Sequence, residues 1–302
     1  MAQKIFTKKI KFYSGLIFLL PAVIYLLVFV AYPILYNIIL SIQQVNSLTL
    51  IRPNKPFVGL SNYIEVFQDK LIYTAIKNTF IFTISCIFFQ FLFGFSLAIL
   101  FARKFPFNQG YRGILMIAWM IPMLIVGTLG KWFFLGDPSG LINVLLMKLG
   151  LIEEAYAYLT KGSSAMMALI IVNIWKGIPF NMLLMATALT VIPKDIYEAA
   201  SIDGADSFQR LIRITLPLLR PQIFITITQG FIFTFKAFEL IYVMTNGGPV
   251  DSTQILATLS YKLTFLQFNF GTGAAVSNVL FVIMMIIGVM YLRLISKDEV
   301  TL

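Results

Sequence analysis

The chain has no histidine, a single cysteine and only thirteen acidic residues in 302. Without histidine there is no Ser-His-Asp triad, none of the common zinc sites and no ordinary proton shuttle. A lone Cys86 cannot form an intrachain disulfide. It also lies inside the apolar run 78–102, where burial disfavours a reactive thiolate and packing is its expected role. No G-x-x-x-x-G-K-[ST] sequence occurs, so the chain cannot cradle nucleotide phosphates in a P-loop. Charge is sparse throughout: 12% of residues are charged, against roughly 25% in an average soluble domain. Most enzyme chemistries are removed on these grounds.

Apolar residues fill the space. With 59% hydrophobic residues and a mean hydropathy of +0.88, the composition is that of an all-α integral membrane protein. Runs long enough to cross a hydrocarbon layer of about 30 Å fall near 13–42, 78–102, 113–135, 165–189, 221–244 and 273–292, giving six transmembrane helices in one membrane domain, 1–302. The first run follows "MAQKIFTKKIK". It is too long for a secretory signal and has no small-residue cleavage site, so a retained anchor is expected. The net charge of +10 resides mainly in short connections between apolar runs, which suits anionic lipid headgroups and gives no reason to expect nucleic acid as a partner. With a cytoplasmic N-terminus, thirteen Lys and Arg residues of the connections fall inside, among them Lys4, Lys8, Lys9, Lys104, Arg210 and Lys297, against seven outside. Both termini are therefore expected on the cytoplasmic side.

One connection is unlike the others. Residues 198–217, "EAASIDGADSFQRLIRITLP", carry three acids and two arginines in an otherwise apolar chain, and such a segment must sit in water. Pro193 suits a helix start, Ala199 and Ala200 favour helix, and Gly204 permits the positive φ that ends one helix and turns the chain. Asp206 or Ser207 can cap a second helix over 206–215, with Pro217 near its end. A helix-turn-helix outside the membrane is the expectation for 190–220.

Polar groups within the spans form a second set. Lys131 lies close to a span end beside "WFFLG", where a snorkelling lysine in an aromatic belt is expected. Lys236 and Glu239 are three residues apart and are expected on one helix face, able to neutralise one another. In "VNIWKGIPFN", Asn173, Trp175, Lys176 and Asn181 surround a Gly-Ile-Pro sequence expected to break the helix near mid-span, and membrane helices tolerate that only where freed backbone groups meet protein or a wet cavity. Donors, acceptors and an aromatic face are what a sugar path needs, so Asn173, Trp175, Lys176, Asn181, Lys236 and Glu239 are the candidate path residues.

The spacing E-A-A, three residues, G, nine residues, I-x-L-P at Glu198, Ala199, Ala200, Gly204, Ile214, Leu216 and Pro217 resembles the EAA loop of ATP-binding cassette importer permeases. The stretches "FVGLSNYIEVF" (57–67) and "FELIYVMTNGGP" (238–249) are similar to the sugar-type permeases, the maltose and glycerol-3-phosphate class, without the long outer domain of the maltose permease. The resemblance implies a subunit forming half of a translocation pathway in a bacterial or archaeal cell membrane. Those seven residues would then form the coupling loop that docks an ATPase. It further implies a second permease, related or identical, two ATPase subunits that bind ATP and Mg, an extracellular or periplasmic solute-binding protein, and a sugar, oligosaccharide or glycerol-3-phosphate as substrate. No catalysis and no cofactor are expected on this chain. The alternative is an ion-gradient-driven secondary carrier, thinly supported because Glu239 is the only acid in any span.

Overall fold

A computed structural model of the chain describes residues 18–52, 54–103 and 105–298. Lys4, Lys8, Lys9, Lys11 and Lys104 of the orientation reading lie outside them, as do the first residues of the 13–42 run and the side chain of Lys297. Regular structure among the described residues is helical, with only two isolated β-bridges besides. Among the described residues four helices are long and apolar enough to cross a membrane, or up to six if each of two bent helix pairs is one span.

The chain divides into two compact units. The first comprises Met1–Gln68 and Ser260–Asn278. Its long helix α1, Phe18–Ser41, carries no charged residue, and none of its membrane-length window is buried. A π-helical turn at Leu27–Ala31 precedes Pro33, with the Tyr32 N–H donating to the Leu27 carbonyl; an extra residue per turn is a common accommodation next to a ring that cannot donate. Polar side chains fasten the far end of α1. Asn37 donates to Asn278 at 2.7 Å, Asn278 donates to the Tyr63 hydroxyl at 2.9 Å, and that hydroxyl meets Ser41 at 2.8 Å. Asn62, on the short helix α2 (Ser61–Gln68), donates to the carbonyls of Ser41 and Gln43.

The second unit comprises Asp69–Leu259 and Val279–Leu302. Its frame is the pair α3, Lys70–Ala102, and α7, Gly162–Leu189. Asp69 caps α3 by accepting from the Leu71 N–H at 2.8 Å. The two helices touch at backbone distance through glycine: a Cβ on Gly94 would lie 2.6 Å from the Asn181 Cβ, and one on Gly177 would lie 2.2 Å from the Gln90 amide carbon. Close approach through small residues is a common way for helices to associate in lipid, where apolar burial gives no net drive. One apolar cluster gathers Phe82, Cys86, Leu169 and Val172 with Leu240 and Met244. Another gathers Phe95, Phe101, Met182 and Met185 with Leu219.

Between α3 and α7 lie α4 (Asn108–Met120), α5 (Met123–Phe133) and α6 (Leu141–Lys148). After α7 come α8 (Lys194–Ile202), α9 (Ser207–Leu218, with a π-helical turn at Leu211–Thr215), α10 (Arg220–Phe235) and α11 (Glu239–Met244). Helices α12 (Leu256–Tyr261) and α13 (Phe270–Asp298) complete the order.

Three expectations are corrected. The run 113–135 is not one straight span, because α4 and α5 meet at 96°. Ile121 is extended, φ −63° and ψ 130°, as residues before proline tend to be, and Pro122 follows with ψ 142°. The run 221–244 is interrupted: α10 stops at Phe235, and Lys236 to Phe238 form a non-helical link to α11. Lys236 and Glu239 therefore do not share a helix face. Conversely, the expected break at Gly177-Ile178-Pro179 is absent, since α7 continues through Pro179 without interruption. Packing of Gly177 against Gln90 and a bond from the Asn181 amide to the Gly177 carbonyl at 3.0 Å stiffen the helix there.

Candidate functional site

Within the second unit the helices leave a cavity of about 660 Å³, in the usual range of roughly 300–1,000 Å³ for ligand sites. Its walls come from α3 (Gln90), the α4–α5 elbow (Trp119, Met123), α7 (Asn173, Lys176, Phe180, Asn181), α10 (Thr226, Gln229, Phe233), the link after it (Lys236) and the start of α11 (Glu239). Asn173, Lys176, Asn181, Lys236 and Glu239, dispersed over two predicted spans, thus meet around one space. Lys236 and Glu239 reach it from either side of the Ala237–Phe238 interruption.

Two features order the polar wall. Gln90 Nε2 donates to the Asn173 backbone carbonyl at 2.9 Å and to its Oδ1 at 2.7 Å, locking α3 to α7 among buried side chains. Lys176 Nζ crosses to the elbow and donates to the carbonyls of Ile121 at 2.6 Å and Trp119 at 3.0 Å. Those oxygens lie at the end of α4, where helix geometry leaves carbonyls without intrahelical donors and where the helix dipole favours a cation. Lys236 instead sits over the Phe233 ring, Nζ to centroid 5.6 Å.

The aromatic wall differs from the expectation. Trp175 does not line the cavity; it packs edge-on against Phe133 at 6.3 Å. Trp119 and Phe180 take that place, stacked with centroids 5.2 Å apart and planes 9° apart. Neither is singled out by its sequence neighbours, since only the 96° elbow turns Trp119 toward α7.

The polar stretch 190–220 forms the expected helix-turn-helix. Helix α8 ends at Gly204 with φ +81°, where the Ala205 N–H donates to the Ala200 carbonyl at 2.9 Å and the Gly204 N–H to the Ser201 carbonyl at 3.2 Å. This is the Schellman arrangement, which closes carbonyls the helix would leave open. Asp206 rather than Ser207 caps α9, and it does so reciprocally: its Oδ1 accepts from the Gln209 N–H at 2.7 Å while Gln209 Oε1 accepts from its own N–H at 3.1 Å. Arg210 donates to the Ser201 hydroxyl at 2.8 Å, and the hydroxyls of Tyr197 and Thr215 meet at 3.0 Å, so the two short helices are cross-linked.

Glu198 and Ala199 are exposed and Ala200 is half-buried, so the E-A-A triplet stands at the surface. Leu216, with Leu211, packs against the cluster of Phe95, Phe101 and Met182, while Ile214 is half-buried and Pro217 exposed. One end of the motif thus holds the loop to α3 and α7 and the other is open. Ile202 and Phe208, 87% and 68% exposed, flank the open side.

Comparison with known proteins identifies the family. The family described as binding-protein-dependent transport system inner membrane component matches residues 90–297. A probable ABC transporter permease protein of Pyrococcus horikoshii is 33% identical, over 94% of this chain and 96% of that protein. The trehalose/maltose transport system permease protein MalF of Thermococcus litoralis is 32% identical, over 95% and 96%. The fold is shared with a chain of a bacterial alginate ABC transporter, solved with an alginate pentasaccharide-bound periplasmic protein; its TM-score is 0.79 at 23% identity, covering 94% of each chain. With the pattern matched over most of its length and relatives aligned nearly end to end, the chain belongs to the inner membrane components of binding-protein-dependent transport systems, the multi-pass permease subunits of ATP-binding cassette importers.

Proposed function

We propose that this subunit forms half of the translocation pathway for a sugar or oligosaccharide and that the cavity between α3, α7 and α10 is its part of that pathway. The observation that carries the reading is the wall itself: an outward aromatic stack, Trp119 on Phe180, beside the buried amides of Asn173 and Asn181. A pyranose presents a flat C–H face and a rim of hydroxyls, and it is met by an aromatic surface and by groups that both donate and accept. The trehalose/maltose permease relative supports the same class. Glycerol-3-phosphate fits less well. Lys176 already serves two carbonyls and Lys236 lies over the Phe233 ring, while Glu239 on the same wall opposes a dianion.

In this reading ATP and Mg are bound and hydrolysed on two partner ATPase chains, docked on the exposed E-A-A end of the α8–α9 loop. A second permease completes the pathway, and a solute-binding protein delivers the substrate from outside. Leu211 and Leu216 root the loop in the cluster that packs α3 on α7, so displacement of the loop is transmitted to the helices that line the cavity.

The test is uptake of labelled trehalose and maltose by the purified assembly in liposomes. ATP-dependent uptake is expected, with Trp119→Ala and Asn181→Ala each raising KM by about tenfold while the bound ATPase is retained. Normal KM in both variants would remove the cavity from the pathway. Uptake driven by an ion gradient without ATP would restore the secondary carrier.

A further inference from the structure

Lys176 is the most conspicuous charge on the cavity wall and invites assignment as a substrate ligand, yet its geometry points elsewhere. Its ammonium donates to the carbonyls of Ile121 and Trp119, at 2.6 and 3.0 Å, on the segment where α4 turns through 96° into α5. Residue 122 is proline and has no N–H. Ile121 is extended, so the end of α4 has no continuing helix to take up its carbonyls. Helix α4 also has no basic residue in its last turn. Lys176, reaching in from α7, supplies the missing donor and the missing cation together.

The same elbow carries the Trp119 ring, and four residues along α7 from Lys176 stands Phe180, on which that ring stacks. One turn of α7 therefore grips the elbow twice, by ammonium on carbonyl and by ring on ring. We propose that Lys176 is a positioning residue: its hold on the Trp119 and Ile121 carbonyls fixes the elbow and keeps the Trp119–Phe180 stack facing the cavity as the platform for a sugar ring. This rests on the cavity being the sugar pathway, and it moves the recognition of the ring from the lysine to the stack. Arginine at 176 can still reach two carbonyls. Methionine keeps an unbranched apolar stem one atom shorter and donates nothing.

The test uses the intact assembly with Trp132 and Trp175 replaced by phenylalanine, and a matched assembly that also carries Trp119→Phe supplies the partner-chain emission to be subtracted, so that the difference reports Trp119. Acrylamide quenching of its emission should rise about twofold in Lys176→Met and stay near the parent value in Lys176→Arg, as expected when one of two ties on the ring is cut. Unchanged quenching in Lys176→Met, with ATPase still bound, overturns the proposal. Trehalose uptake is then measured in the same variants. Lys176→Met should raise KM by about tenfold at nearly constant kcat, as Trp119→Ala does, with Lys176→Arg close to the parent. If quenching doubles while both Lys176→Met and Trp119→Ala transport normally, the clamp on the ring stands and the sugar pathway lies elsewhere. If Lys176→Arg fails as fully as Lys176→Met in both measurements, the ammonium contacts something other than the elbow and the proposal falls.

Discussion

At the scale of single residues, Gly204 and Gln209 show how differently two loop positions can be read. Gly204 has φ +81° and would place a Cβ in open space, with no atom within 4 Å. Its constraint is purely one of backbone hand, and a β-branched replacement costs on the order of 1–2 kcal/mol. Gly204→Val should tilt α8 against α9 and reduce ATPase recovered with the tagged permease, whereas Gly204→Asn, which tolerates the left-handed region, should retain it. Equal recovery from both variants would mean that the turn does not govern docking. This constraint was legible, because glycine after a short helix has few other uses. Gln209 was not, because it falls outside the E-A-A-to-L-P spacing, yet it completes the reciprocal cap of α9 with Asp206. Asp206→Ala should cost about 1 kcal/mol and Gln209→Ala somewhat less. Faster amide exchange over residues 207–210 in both variants would report it, and unchanged exchange would count against the cap.

At the scale of helices, the dipeptide Ile-Pro occurs at 121–122, 178–179 and 192–193, with three outcomes. The first turns the chain through 96°, the second passes through an unbroken helix, and the third separates α7 from α8. Local sequence cannot distinguish them. What distinguishes them is which neighbour receives the freed carbonyls: Lys176 at the first, while tight packing on α3 holds the second straight. That is why the expected break was placed in α7 when it lies in α4–α5, and why Trp175 was expected on the cavity wall that Trp119 occupies. The extent of α7, the end of α3 at Ala102 and the grouping of Asn173, Lys176 and Asn181 were legible from apolar runs and polar groups within them, whereas α3 begins at Lys70, eight residues before the apolar run 78–102. The close packing of the two helices gives a direct test. Gly94→Ala would bring a methyl within 2.6 Å of the Asn181 Cβ, so it should destabilise by about 1–3 kcal/mol, read as a lower Tm of the detergent-purified subunit. Gly113→Ala, facing open space on α4, should shift stability by no more than about 0.5–1 kcal/mol, upward through helix propensity. A Tm equally tolerant of both would mean that α3 and α7 do not meet at glycine.

For the whole molecule, the side of the membrane on which each polar segment stands determines whether the loop can meet an ATPase at all. The orientation reading rests on the excess of Lys and Arg in connections placed inside. Two residues report it cleanly once Cys86 is replaced, a substitution expected to be mild if it keeps the volume, because the thiol is buried in apolar packing and donates only at long range, 4.0 Å to the Ile170 carbonyl. Ser207, at the exposed start of α9, should as cysteine react with an impermeant maleimide only in inside-out vesicles. Val250, 99% exposed in the turn after α11, should as cysteine react only in right-side-out vesicles. Ser252 in the same turn is a poor reporter because its hydroxyl is buried and has no partner. The chain between the two sites contains α10 and α11, in which the interruption at 236–238 sits within the apolar run 221–244. A non-helical link at that depth is tolerated only against protein or a wet cavity, and Lys236 and Glu239 beside it line one. Labelling of both cysteines from the same side would mean that 221–244 re-enters rather than crosses. The E-A-A surface and the turn at Val250 would then share a compartment, and the α8–α9 loop could not couple a cytoplasmic ATPase to a solute-binding protein on the far side. Labelling from opposite sides makes the broken segment a true span, with its charged link at the depth where a solute must pass.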